Sequence, residues 1–256
     1  LPARKFLDIC KSLSAEKDLE LETSENKTTL RSGRSRFSLA ALLATEFPVF
    51  EDQEETSKFT FETTELKKLI ERTAFSMAQQ DVRYYLNGLL VEITPEKIRA
   101  VATDGHRLAL AEADHKGGGD QTVQAIIPRK GVLELARLLG EEGETAEIGL
   151  SKNHLVASLS DYKLTSKLID GKFPDYDKVV PKDNKKILQI KLNEFKNSIE
   201  RVTTVSVDRK EGLKMTITKD SLQLSVNSPN SGEGIDRINA KFNSEDINIS
   251  FNSRYL

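Results

Sequence analysis

One arrangement of residues recurs along this chain, and a repeat constrains the fold more than any single motif, because every copy must bury the same faces in the same way. Pro2-Ala3-Arg4-Lys5 answers to Pro128-Arg129-Lys130, and Leu7, Asp8, Ile9, Cys10 and Leu13 answer to Leu133, Glu134, Leu135, Ala136 and Leu139, about 126 residues on. Phe47-Pro48 answers to Phe173-Pro174 at the same spacing. A second set joins the middle to the end: Glu65-Leu66-Lys67 to Glu194-Phe195-Lys196 and Ile70-Glu71-Arg72 to Ile199-Glu200-Arg201, about 129 apart. Gly88 and Ile93-Thr94 answer to Gly212 and Ile217-Thr218, about 124 apart, so the loop 79–87 has a shorter counterpart near 208–211. Short apolar patterns recur by chance in any helix-then-strand domain, but the shared order and near-constant spacing favour one domain type present three times. The expected division is the end of one copy (1–53), a complete second copy (54–181) and the start of a third (182–256), with polar boundaries near 51–55 and 181–185.

The 256 residues suffice for about two ordinary domains. Hydrophobic residues at 38% and charged residues at 30% suit a globular chain rather than a disordered one. No stretch approaches the roughly 20 apolar residues of a membrane helix. The single cysteine, Cys10, allows no internal disulfide and fits a reducing, cytoplasmic setting. The chain opens Leu1-Pro2-Ala3-Arg4-Lys5, with neither a signal peptide nor Met, as expected of a stretch that begins inside a longer protein. A net charge of −2 argues against gripping nucleic acid over the whole surface, which takes many Lys and Arg contacts to phosphate. A local basic patch remains compatible with it.

Helical periodicity predicts four helices. Phe6, Ile9, Cys10 and Leu13 form one face; Val132, Leu135, Ala136 and Leu139 form another. Leu66, Leu69, Ile70, Thr73 and Met77 line a third, with Thr64 as its N-cap, and Phe195, Ile199 and Val202 a fourth. Strand-length apolar or alternating runs fall at 89–93, 98–103, 107–112, 123–127, 155–159, 163–169, 213–218, 222–226 and 247–251. Thr94-Pro95-Glu96-Lys97 and Lys219-Asp220 read as turns between paired strands. Each full copy then holds two helices and about eight short strands, an α+β fold with antiparallel sheets.

A search for catalytic motifs finds no nucleophile elbow, no His-Glu-x-x-His and no phosphate-binding loop. Gly117-Gly118-Gly119 reads as a flexible hairpin loop, and His106, His115 and His154 are scattered without zinc spacing. Asp104 and His106 admit two readings: an acid–base pair, or an Asx-type turn in which Asp104 caps backbone N–H groups and Gly105 supplies an unusual φ, the second being favoured. Arg31, Arg34 and Arg36 mark a basic strand, with Arg34 and Arg36 on one face and Phe37 and Leu39 on the other. That strand is open to solvation, phosphate contact or pairing with a second subunit through a free sheet edge. Gln79-Gln80-Asp81-Val82-Arg83-Tyr84-Tyr85 is either an ordinary loop or a contact to nucleic acid, Arg meeting phosphate and Tyr meeting bases.

Several segments, taken together and in order, resemble the bacterial DNA polymerase III beta subunit, the sliding clamp. They are Arg31-Ser32-Gly33-Arg34-Ser35-Arg36-Phe37, Asp81-Val82-Arg83-Tyr84-Tyr85-Leu86-Asn87-Gly88, Ala102-Thr103-Asp104-Gly105-His106-Arg107-Leu108, Ile127-Pro128-Arg129-Lys130 and Phe173-Pro174-Asp175-Tyr176. The resemblance is strongest from Pro2 to Pro181 and weakens to pattern after about Thr203. It implies repeated clamp-type α+β domains, each with two helices on antiparallel sheets, three to a chain, two chains closing head to tail around duplex DNA. This stretch, lacking most of the first domain and the end of the third, would not close a ring by itself. The implied role is that of a non-catalytic processivity factor without cofactor. Its implied partners are the polymerase III alpha subunit, the clamp loader, and other polymerases and repair proteins carrying short linear motifs. Residue by residue, Leu86, Thr103, Gly105, His106, Arg107, Leu108, Pro174, Lys178 and Val179 match the partner-peptide pocket, Lys178 standing where Arg is familiar. Gln80, Arg83, Tyr84 and Tyr85 match the DNA-contacting loop. Lys5, Arg34, Arg36, Phe37 and Leu39 match the homodimer interface, with Thr204 and Val205 facing Phe37 and Leu39 and with Glu233 and Asp236 as acidic counterparts. Two rivals stand beside this reading: an enzyme using Asp104 and His106, and a peptide-binding module unrelated to replication.

Overall fold

Pro2 precedes the first helix, α1 (Ala3–Ser12), at φ −67°. Proline suits a helix start because the first N–H groups have no intrahelical acceptor. The computed structural model describes residues 1–47, 57–114, 122–140, 143–206 and 211–256. The expected boundary at 51–55, Pro48, His115, the Gly117-Gly118-Gly119 loop and 208–210 lie outside the described residues. Contacts divide the chain into two units, Leu1–Glu54 and Glu55–Leu256.

In the first unit α1 is followed by an antiparallel meander of β1 (Glu20–Ser24), β2 (Lys27–Ser32) and β3 (Ser35–Ala40), in that order. Leu30 is fully buried, and Phe37 stands opposite it as Leu39 stands opposite buried Thr28. The expected sharing of a face by Phe37 and Leu39 is thus seen, and it is the inner face. Arg34 departs from expectation. It sits in the β2–β3 turn beside Gly33 (φ +59°), so strand parity does not carry it onto the face of Arg36.

The second unit holds two copies. The complete one runs β4 (Ser57–Glu62), α2 (Thr63–Glu71), β5 (Gly88–Ile93), β6 (Lys97–Thr103), β7 (Leu108–Asp114), β8 (Val123–Pro128), α3 (Arg129–Leu138), β9 (Thr145–Leu150), β10 (His154–Ser158) and β11 (Lys163–Lys167). These form two four-stranded sheets, β7-β6-β5-β8 and β11-β10-β9-β4, antiparallel throughout. α2 lies against β6 and β7, α3 against β5 and β8, and the helices touch each other. Small residues at the contact, Ala100, Ala102, Ala111 and Ala125, let them close on the sheet, and Leu66, Ile70, Val132 and Leu135 fill the space between. The third copy runs β12 (Leu188–Gln189), α4 (Leu192–Val202), β13 (Gly212–Ile217), β14 (Ser221–Ser228), β15 (Gly232–Asn239), β16 (Lys241–Phe242) and β17 (Ile247–Asn252). It has its own core around Leu213, Leu222, Leu224 and Val202.

The repeat is visible in the elements. α3 begins behind Pro128 as α1 begins behind Pro2, and β13 and β17 follow β5 and β8 at the spacing read from the sequence. The turns at Thr94 and Lys219 also form: Thr94 N–H donates to Lys97 O at 2.8 Å and Thr218 N–H to Ser221 O at 2.9 Å. Two local expectations are corrected. Thr64 is inside α2, whose N-cap position is Glu62. The same helix stops at Glu71, because the buried Thr73 hydroxyl donates back to Leu69 O (2.7 Å) and a 3-10 turn, Ala74–Ser76, takes over. Thr73 and Met77 are buried as expected, by that turn rather than by a helix face.

Candidate functional site

The link from β6 to β7 is a tight turn held by its own side chains. Asp104 Oδ1 accepts from the backbone N–H groups of His106 and Arg107, both at 3.0 Å, and Arg107 Nε donates to Oδ2 at 3.1 Å. Thr103 Oγ1 accepts from Gly105 N–H (3.1 Å) and donates to Arg107 O (2.7 Å). Gly105 has φ +86°, and a side chain there would meet the Arg83 guanidinium at 2.9 Å. Burial alone would raise the Asp104 carboxyl, but these hydrogen bonds and the Arg107 charge hold it below the usual carboxylate range. A carboxylate so engaged is a turn cap, not a general base.

The loop between Ala78 and Gly88 forms the facing structure. Asn87 ties it by accepting from Asp81 N–H (2.9 Å) and donating to Asp81 O (2.8 Å). Arg83 bonds Asp81 through Nε (3.0 Å) and Nη2 (2.8 Å), and Nη2 lies 3.4 Å from Asp104 O. The Arg83 side chain and backbone bonds lower the Asp81 carboxyl to about 2. Gln80 takes a positive φ, +57°, where the chain leaves the 3-10 region.

Between these two structures and the segment after β11 lies a cleft of about 440 Å³. Leu86, Thr103, Gly105, His106, Arg107, Leu108, Pro174 and Val179 all line it. So do four residues not assigned to it from the sequence: Arg83, Tyr85, Phe173 and Tyr176. Lys178 is outside the lining; it is exposed and donates to Asp175 at 2.8 Å. Tyr255 of the third copy packs against two of the lining residues. Its ring stacks on His106 (6.3 Å, 23°), and the Arg107 guanidinium lies 4.7 Å from the same ring and 5.5 Å from Phe75. Phe173 and Tyr176 belong to the same contiguous motif as Pro174, Phe173-Pro174-Asp175-Tyr176, and could have been found from it; Tyr255 carries no local signal.

Of the loop residues, Gln80 and Tyr84 are exposed, and Tyr84 packs edge-on against Tyr85 at 5.8 Å. Arg83 and Tyr85 instead face the cleft, so the structure splits the group that the sequence placed together. Of the interface candidates, Lys5, Arg34 and Arg36 are exposed and Phe37 and Leu39 half-buried in the first unit. Thr204 is exposed, its hydroxyl donating to Arg201 O at 2.6 Å, and Val205 packs against the third core. Glu233 is exposed on β15, and Asp236 pairs with Arg201 Nε at 3.0 Å within the chain. Among the described residues no cluster of His, Cys, Asp or Glu could hold a metal ion.

Repeated α+β domains carrying an apolar cleft with a few oriented polar groups define a docking protein. Residues 1–51, 60–175 and 177–256 match, in order, the N-terminal, central and C-terminal domain models of the DNA polymerase III beta subunit. The beta sliding clamp of Pseudomonas aeruginosa is 39% identical over 256 residues, covering 100% of this chain and 70% of that protein. A crystal structure of the P. aeruginosa DNA polymerase III subunit beta superposes with a TM-score of 0.91 at 39% identity, over 100% of this chain and 70% of that one. A sliding clamp of the same organism, solved bound to griselimycin, superposes with a TM-score of 0.89 at 39% identity, over 100% of this chain and 69% of that one. The chain belongs to the DNA polymerase III beta subunit family, the bacterial sliding clamps.

Proposed function

We propose that the chain serves as a processivity clamp, a ring around duplex DNA that tethers the replicative polymerase and other partners through the cleft beside the Thr103–Leu108 turn. The observation that carries the docking role is that cleft: apolar walls from Leu86, Leu108, Pro174 and Val179, with His106, Arg107 and Arg83 as oriented polar groups. Such a groove suits a short extended segment with apolar anchors, the form in which polymerase alpha and clamp-loader subunits would present themselves. A tethered polymerase rebinds its primer end at high effective concentration, so processivity needs no catalytic group on the clamp. Gln80, Arg83, Tyr84 and Tyr85 are proposed to touch DNA loosely and without sequence preference, Arg83 only by leaving Asp81. Lys5, Arg34, Arg36, Phe37 and Leu39 are proposed to meet Thr204 and Val205 of a second copy, with the free edge of β3 as the pairing strand.

Griselimycin, which a relative holds in its crystal, serves as the probe. Calorimetric titration is expected to show binding weakened about tenfold or more in His106→Ala and in Leu108→Ala. Unchanged affinity in both would place the ligand elsewhere and sink the cleft as the docking site.

A further inference from the structure

The outer face of the sheet β7-β6-β5-β8 carries two cross-strand rows. Ile126, Leu90, Val101 and Leu110 stand opposite one another in one; Gln124, Glu92, Arg99 and Glu112 do so in the next. Ile126, Leu90 and Val101 pack beneath Phe173 and Tyr176. The polar row contains a carboxylate that is nearly out of water, Glu92, at 9% exposure. Burying such a group is costly unless its oxygens are paired. Tyr176 OH donates to Glu92 Oε1 at 3.1 Å, the Gln124 amide donates to Oε2, and the Arg99 guanidinium stands 3.5 Å from Oε1. Arg99 Nε also donates to Glu112 at 2.9 Å, and Lys97 to the same carboxylate at 2.7 Å. From Glu92 to Glu112 the row alternates in charge, and Lys97 brings the group to neutrality.

None of these four row residues lines the cleft with His106 and Leu108, yet Tyr176 does. The segment that carries Tyr176 has few other ties. Leu168 N–H donates to Asn153 O (2.7 Å) and Ile169 N–H to Ile126 O (2.9 Å). Beyond Ile169, the backbone bonds seen among the described residues are local, from Val179 and Val180 N–H to Tyr176 O, both at 3.1 Å. Lys178 pairs only locally too, with Asp175. The position of Pro174 and Val179 therefore hangs on two buried side chains, Phe173 and Tyr176, and only Tyr176 has a directional bond.

We infer that Glu92, held by Gln124 and Arg99, is a positioning residue for the cleft: through the Tyr176 hydroxyl it fixes the turn that presents Pro174 and Val179 to the docked segment. The inference rests on the cleft being the docking site. It differs from a plain stabilising role because it acts on ligand affinity in the folded protein.

The test is griselimycin titration at 25 °C on the full chain, with Tyr176→Phe, Glu92→Leu, the double variant, Leu108→Ala, and Ile148→Val in the central core. Each single change in the Tyr176–Glu92 pair is expected to weaken binding about three- to tenfold, the range of one net hydrogen bond. The double variant is expected to be no weaker than the worse single, since both remove the same link. Ile148→Val is expected to lower the melting temperature and leave affinity unchanged. Wild-type affinity in Tyr176→Phe and Glu92→Leu, with Leu108→Ala still weakened, overturns the positioning role and spares the cleft. Additive losses in the double variant, or an affinity loss in Ile148→Val that tracks its melting temperature, overturn it as well. If Leu108→Ala also binds as wild type, the cleft reading falls and the positioning role with it.

Discussion

Asp81 and Asp104 show how two carboxylates, one legible in the sequence and one not, hold the structures on either side of the cleft. Asp104 was readable, because Thr-Asp-Gly between two strands is turn chemistry, and the structure adds the Arg107 contact and the engagement with Arg83. Asp81 carries no signal beyond its place in a polar loop, yet it holds Arg83 by three bonds. Its folded carboxyl is lowered from the ordinary 3.8 to about 2. A depressed acid contributes stability that is present above its unfolded pKa and lost as pH falls through the folded one. The latch is therefore expected to hold at neutral pH and to open between about pH 4 and pH 2. Carbon NMR of the Asp81 carboxyl checks this, with a midpoint expected near 2. Asp81→Asn is expected to remove that part of the acid dependence, and a midpoint near an ordinary carboxyl would mean that Arg83 is not held in solution.

At the level of elements, apolar periodicity found what it could see. The faces of α2, α3 and α4 and strands such as β5, β6, β8 and β13 bury apolar residues, and their positions followed, while α1 forms where its face was read but has no buried residue. β15 did not, for a physical reason. Gly232-Glu233-Gly234-Ile235-Asp236-Arg237-Ile238-Asn239 has weak strand propensity, and at Gly234 the backbone of α4 lies over it in place of a side chain. A side chain at Gly234 would meet Val202 O at 2.7 Å and Val202 Cα at 3.2 Å, so α4 reaches β15 only across a glycine. Gly234→Ala is expected to force helix and strand apart and cost about 1–3 kcal/mol. Denaturant unfolding measures it, and a variant as stable as wild type would show that the α4–β15 approach is looser than this.

For the whole molecule, the net charge of −2 and the modest number of candidate DNA contacts point to retention by closure rather than by grip. A protein making 6–10 phosphate contacts loses roughly 10³–10⁵ in affinity between 50 and 200 mM salt. If the proposed function holds, the ring closed by the whole protein and loaded on circular duplex is expected to stay bound across that range and to leave when the circle is cut. A steep salt dependence on the uncut circle would show that ion pairs, not topology, hold it. By itself the sequence determined the repeat, the α+β class, the Asx-type turn at Asp104 and most of one cleft wall, because these are set by local periodicity, turn chemistry and contiguous motifs. Tertiary structure decided the rest. Arg83 and Tyr85 turn to the cleft, Lys178 lies outside it, Tyr255 packs on His106, and Glu92 lies buried under Tyr176, 84 residues away in the chain. Such placements depend on which strands become neighbours and which carboxylate leaves water, and neither is written in the residues around them.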